Sequence, residues 1–245
     1  MKALLYLACA VFLLQACSMS KDDESTGETG QGGSLARFTI QNDHLYIVNE
    51  TSLQTYSLLS NQPTPVKVDE EYLGFGAETI FPYENKLLLG TQDGMYIYDI
   101  SNPGNPAKIT MFQHIRSCDP VVAENGYAYN TLNAANERCW RGLNEMQIVD
   151  IHDPYAPFLV KSYTMDSPKG LDIHNDTLFV CDNGLKILDV SNKNSPALLN
   201  HFSDIQAEDV IFTDGRLLVI GADGFHQYTI GSSGITKIST LPVIP

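Results

Sequence analysis

The chain has 245 residues, enough for one large all-β domain or two small ones. It carries 29 aspartates and glutamates against 15 lysines and arginines, a formal charge of −14. Such a surface repels phosphate backbones, which argues against nucleic acid as a partner, and it aids solubility without implying any fold.

The N-terminus reads as an address. Lys2 precedes the apolar run ALLYLACAVFLL, which is too short to span a bilayer comfortably and has no stop-transfer sequence behind it. Residues 1–16 are therefore expected to be a signal peptide. The end of the run, LLQAC, resembles a bacterial lipobox, with Leu14 at minus three, Ala16 at minus one and then Cys17. The resemblance implies that Cys17 is acylated, carries palmitate-type chains and opens the mature protein. Several acyl chains on one residue satisfy the rule that stable anchoring takes more than a single chain. The stretch SMSKDDESTGETGQGGS follows. It is polar and without apolar periodicity, so residues 17–34 are expected to form the lipidated cysteine and a disordered tether. KDDE resembles the acidic export signal of surface lipoproteins in Bacteroidetes-like bacteria, which implies an outer-membrane lipoprotein, either cell-surface exposed or on the periplasmic face.

Beyond the tether the chain repeats. Pro65, Pro106, Pro157 and Pro196 lie 41, 51 and 39 residues apart, inside LLSNQPTP, DISNPGNP, DIHDPYAP and DVSNKNSP. A fifth, degenerate copy follows at YTIGSSGI, 228–235. A period near 40 with short apolar runs predicts propeller blades of four strands, here named A to D from the inside outward. The copies read strand, turn, strand, turn, strand, with turn pairs such as Asp214-Gly215 and Asp223-Gly224. The prolines then sit in the C–D connection, because they cannot donate a ladder hydrogen bond, and the Asp or Asn beside them caps the turn. The expected fold is all-β: one propeller over residues 35–245, with five blades at about 36–72, 77–114, 119–163, 169–203 and 208–241. Because it starts with a strand A and ends with a strand D, no blade mixes the two termini; residues 30–35, the final PVIP or plain blade packing must close it.

Three copies, MYIYDISNPGNPAKI, MQIVDIHDPYAPFLV and LKILDVSNKNSPALL, resemble the LVIVD repeat, named for such a strand running into such a turn. Proteins with that repeat include propeller-type lipoproteins of the bacterial surface and periplasm. The resemblance implies fold and location far more than activity.

In this topology strand A lines the central channel. The D–A and B–C loops open on one face, the top, and the A–B and C–D turns on the bottom. Aligning the strand A starts predicts a ring of Arg37, Glu78, Asp119, Gly170 and Asp209 at the channel mouth, with His114, Arg116, Lys169 and Glu208 nearby. Converging carboxylates and cations make a candidate binding site, and like charges held close raise a carboxyl pKa. The third copy is longer because NTLNAANERCWRGLNE, 130–145, replaces a tight B–C turn. It brings Cys139 and Trp140, the single tryptophan, between Arg138 and Arg141 to the same face. Cys118 precedes Asp119 in the adjoining D–A loop, so a Cys118–Cys139 disulfide is expected, with Cys181 a core thiol in strand B.

The histidines show no zinc spacing, and no EF-hand loop, phosphate loop or nucleophile elbow is present, so neither a metal nor a cofactor is expected. The functional expectation is a non-catalytic, lipid-anchored propeller that binds a protein or glycan through its top face. The binding residues would be Arg37, Glu78, Arg116, Asp119, Arg138, Trp140, Arg141, Lys169 and Asp209. One alternative is a glycoside hydrolase-like enzyme using Glu78, Asp119 and Asp209 in the central funnel, by analogy of fold. Another is a purely structural subunit of an envelope assembly. The address is open to a direct check. Cys17→Ala should abolish incorporation of an acyl label and leave an unacylated precursor or a released protein; a variant that still carries the label contradicts the lipobox.

Overall fold

The structure is a computed structural model that describes residues 33–59, 63–74, 76–114, 120–134, 143–231 and 234–243. Its strands are β1 (Phe38–Gln41), β2 (His44–Val48), β3 (Ser52–Ser57) and β4 (Val66–Tyr72) in blade 1, then β5 (Ala77–Tyr83), β6 (Lys86–Thr91), β7 (Gly94–Asp99) and β8 (Ala107–Gln113) in blade 2. Blade 3 holds β9 (Val121–Glu124), β10 (Tyr127–Leu132), β11 (Glu145–Asp150) and β12 (Phe158–Thr164), and blade 4 holds β13 (Leu171–His174), β14 (Thr177–Cys181), β15 (Leu185–Asp189) and β16 (Ala197–Phe202). Blade 5 is β17 (Ala207–Thr213), β18 (Arg216–Gly221), β19 (Gly224–Gly231) and β20 (Gly234–Pro242). Each blade is one antiparallel sheet in chain order, so no blade mixes the termini and the all-β propeller of five four-stranded blades stands as expected.

Strand alternation builds the core. In β6, Leu87 and Leu89 face blade 1 while Leu88 faces blade 3; in β14, Leu178 and Val180 face blade 3 while Phe179 and Cys181 face blade 5. One buried cluster therefore fills each of four seams, and the side chains named here are fully buried. Among the described residues no such cluster joins blade 5 to blade 1, and Phe38 and Ile220 on those end blades stay 59% and 53% exposed. The N-terminal segment reaches across instead. Ser34, expected at the end of the tether, is buried, and its hydroxyl accepts the Leu171 N–H at 2.8 Å while donating to Asp209 at 3.2 Å.

The bottom face is stitched by one repeated bond. A residue at the end of each strand C donates its N–H to the A–B turn of its own blade: Leu58 to Asp43, Ile100 to Asn85, Ile151 to Gly126, Val190 to Asp176 and, within β19, Ile230 to Gly215, at 2.8–3.3 Å. The Asp that ends strand C then caps the turn, Asp99 accepting from Ser101 and Asp189 from Ser191, both at 2.8 Å to the N–H. Strand D answers with a bulge in every blade, leaving Val68, Ile109, Val160, Leu199 and Ile238 as the extra residue opposite strand C.

The A–B hairpins need positive φ, supplied by Asn42-Asp43, Asn125-Gly126, Asn175-Asp176 and Asp214-Gly215. Blade 2 places Glu84 there, at φ 51°. Glu lacks the short side chain that makes this region tolerable, and its ion pair with Lys86 returns little because Glu84 is 62% exposed. Glu84→Asn should therefore raise stability by about 0.5–1 kcal/mol. A higher denaturant midpoint at unchanged slope is the expected result, and a lower midpoint contradicts the strain.

Candidate functional site

The channel wall is made of the five innermost strands, and its top is shaped by bulges. In β5, Ala77 pairs with Thr91 and Thr79 with Gly90; in β17, Ala207 pairs with Gly221 and Asp209 with Ile220. Glu78 and Glu208 are the extra residues of those bulges and occupy equivalent positions. Asp209 corresponds to Thr79, not to Glu78. The expected single ring of Glu78 and Asp209 is thus corrected to two levels, because a one-residue bulge is invisible in an ungapped alignment. Glu78 is half-buried and accepts from the Gln92 amide at 3.2 Å. Lys169 and Glu208 pair across blades 4 and 5 at 2.5 Å, both near 40% exposed. Arg37 is exposed at the start of blade 1.

Asp209 departs from the solvent-facing role expected of it. It is largely enclosed. A Cβ on Gly170 would fall 2.1 Å from its Oδ1, and one on Gly33 would fall 2.3 Å from its Oδ2, so only glycine fits on either side of the carboxylate. It accepts the Val210 N–H and the Ser34 hydroxyl. Burial pushes its carboxyl up to about 6. Arg116, Asp119, Arg138, Trp140 and Arg141, the Cys118–Cys139 pair and the lipidated Cys17 lie outside the described residues. Cys181 is a free thiol buried in β14, and burial pushes its pKa up. Among the described residues no three His, Cys, Asp or Glu side chains are grouped to hold a metal ion.

A second carboxylate escaped the sequence reading. Asp172 stands between Leu171 and Ile173 in β13, is 5% exposed, and faces blade 5. Its Oδ2 accepts the Phe212 N–H at 2.6 Å and its Oδ1 the Ile173 N–H at 2.8 Å. Burial pushes it up to about 6 against those two bonds, and the nearby charges of Asp209 and Glu124 act in the same direction as burial. The signal was there to read: an acid alternating into an apolar strand that should be buried on both faces.

Above these carboxylates, on the top face between blades 4 and 5, lies a polar hollow of about 360 Å³. Hydroxyls of Ser167 and Ser203, amides of Asn183 and Gln206, and the Lys169–Glu208 pair line it. Asp182 fixes its rim. Its carboxylate accepts the Ser167 N–H at 2.7 Å and pairs with Lys186 at 2.7 Å, so the D–A loop cannot move freely against the B–C turn. The arrangement supplies donors, acceptors and one ion pair at fixed places.

The model of the LVIVD repeat matches residues 84–113, 142–165 and 171–204, which fall in blades 2, 3 and 4. No curated protein matches the chain in sequence. Solved structures match it in fold. A functionally unknown protein from Desulfotomaculum acetoxidans is 13% identical, with a TM-score of 0.67 over 87% of this chain and 71% of that one. The periplasmic gluconolactonase PpgL of Pseudomonas aeruginosa is 11% identical, with a TM-score of 0.64 over 82% and 68%. BamB from Moraxella catarrhalis is 12% identical, with a TM-score of 0.59 over 86% of this chain and 62% of that one. At these identities the likeness is one of fold.

The two raised carboxyls give the site a pH signature. A folded pKa near 6 against an unfolded value near 4 means that the folded state holds the proton more tightly. The contribution of these groups to stability is therefore full below about pH 4 and falls as pH rises towards about 6. Asp172→Asn keeps an oxygen for the Phe212 N–H and removes the charge. Its stability relative to the parent should rise by on the order of 2 kcal/mol from pH 4 to pH 7. Melting curves at the two pH values decide it, and a variant that loses ground as pH rises contradicts the assignment.

Proposed function

We propose that the protein is a non-catalytic binding propeller, held at the outer membrane by lipid on Cys17, that takes a glycan or a protein segment on its top face. The observation that carries this reading is the polar hollow between blades 4 and 5. Hydroxyls, amides and one ion pair around a fixed rim suit the hydroxyls of a sugar or the backbone of a peptide. As a B–C connection the insertion at 130–145 would share this face, and Arg138, Trp140 and Arg141 would then extend the surface from blade 3, beside Arg116 and Asp119. A Cys118–Cys139 disulfide would pin that extension.

The hydrolase alternative is less well supported. A glycosidase pair stands about 5–5.5 Å or 6.5–9.5 Å apart with sugar between. Asp209 is enclosed by Gly33, Gly170 and Ser34, and Glu78 sits on blade 2 against Gln92, so neither presents a free carboxylate to a shared pocket.

The test uses the full acylated chain in detergent, on a glycan array and in pull-down from envelope extracts. Lys169→Ala with Glu208→Gln, and separately Trp140→Ala, should weaken binding at least tenfold. Stability should stay within about 0.5 kcal/mol per exposed substitution. Asn102→Ala and Asn192→Ala, in the bottom turns, should lower stability and leave binding intact. Turnover of a bound glycan, or loss of binding only from the bottom-face changes, contradicts the proposal.

A further inference from the structure

The C–D turn of a blade roofs the outer part of the blade before it. In blade 2 the Pro103 carbonyl accepts the Tyr46 hydroxyl of blade 1 at 2.8 Å, and Gly104 lies against His44 and Val68. In blade 4 Lys193 lies over the Tyr127 ring of blade 3, 5.1 Å from its centroid, while its ammonium is held by Asp176. Blade 5 has no equivalent in its sequence: the connection reads IGSSGI, with neither proline nor any long polar side chain. A hollow of about 650 Å³ lined by Asp150 and Lys193 opens between blades 3 and 4, and beside the IGSSGI connection a cavity of about 530 Å³ opens on the bottom face between blades 4 and 5.

Its floor is a ladder of rings. Phe179, fully buried, stacks on Phe212 at 5.9 Å and 8°, and Phe212 stacks on the exposed His174 at 4.1 Å and 24°. Leu199, the bulge residue of β16, and Ile235 form the walls, and the amides of Asn175 and Asn200 stand at the rim. Among the described residues no Asp, Glu, Lys or Arg lines the cavity, although the chain as a whole carries −14. The volume lies within the range of small-molecule sites, and stacked rings favour a further aromatic group offset against them. A lining without Lys or Arg inside an acidic protein selects against anions.

We propose that this cavity binds one neutral, largely aromatic small molecule, stacked along the His174–Phe212–Phe179 ladder with its polar atoms at the amide rim. The site is separate from the top-face hollow and does not depend on what binds there. The probes are 2-naphthol, which is neutral at pH 7, and 2-naphthalenesulfonate, the same rings with a fixed negative charge. Melting of the full chain in detergent is followed by circular dichroism at rising probe concentration, since a ligand of the folded state raises the midpoint by mass action. Saturable stabilisation by 2-naphthol is expected, with at least tenfold weaker binding of the sulfonate. Leu199→Trp should fill the cavity and weaken 2-naphthol at least tenfold; Ile235→Phe serves the same purpose from the opposite wall if the first variant melts early. No stabilisation by 2-naphthol, or equal stabilisation of parent and filled variants, overturns the proposal. Equal affinity for both probes overturns the claim of neutral selectivity.

Discussion

A propeller blade leaves its innermost strand with one edge unpaired, facing the channel, and in this protein side chains from elsewhere in the chain pair amides of that strand and of the A–B turn that follows it. Tyr83 of blade 2 accepts the Gly126 N–H of blade 3 at 2.7 Å through its hydroxyl. Glu124 of blade 3 accepts the Asn175 and Asp176 N–H groups of blade 4 at 2.9 and 3.0 Å. Asp172 of blade 4 accepts the Phe212 N–H of blade 5 at 2.6 Å, and Ser34 returns from the N-terminus to the Leu171 N–H. Leaving a buried donor such as the Leu171 N–H without an acceptor costs about 1–3 kcal/mol. In each of these bonds between successive blades the acceptor side chain belongs to the earlier blade and the N–H to the next. The raised pKa of Asp172 is the electrostatic cost of using a carboxylate for the purpose inside a seam.

The two candidate surfaces grow from departures from this repeated plan. On top, Gly170 has no side chain, which leaves room for Asp209 and brings blades 4 and 5 close at the channel while the loops above stay apart. The polar hollow is the space between those loops. Beneath, the Phe179–Phe212–His174 ladder lines a cavity beside the degenerate fifth connection. Both lie at one seam, between the last regular repeat and the irregular one.

The period of the second proline and the alternation of strands were enough to read the blades, their strand order and the capped turns from the sequence. Local rules dictate those features, and each copy restates them. The site was legible only in part. Alignment named Lys169 and Asp209 near the channel mouth, but the bulges at Glu78 and Glu208 shift the register by one residue, and nothing in either side chain announces a bulge. Ser34 looked like tether because a serine among glycines carries no apolar signal, yet it is buried by a contact 137 residues away. The strand D bulge was legible and missed: Val68, Ile109, Val160 and Leu199 each fall three residues after the second proline of their copy. The aromatic ladder needs a partner on the next blade, which only packing reveals.

The central claim is that side chains crossing the seams pair the inner edge of the wall. Amide hydrogen exchange on the native chain measures it residue by residue. The Gly126 amide lies in a tight turn, where ordinary exposure would let it exchange fast, and its acceptor is the Tyr83 hydroxyl alone among the bonds of that turn. It should exchange as slowly as the ladder amides beside it, and Tyr83→Phe should speed it at least tenfold while those ladder amides keep their protection. Unchanged protection of Gly126 in Tyr83→Phe contradicts the account.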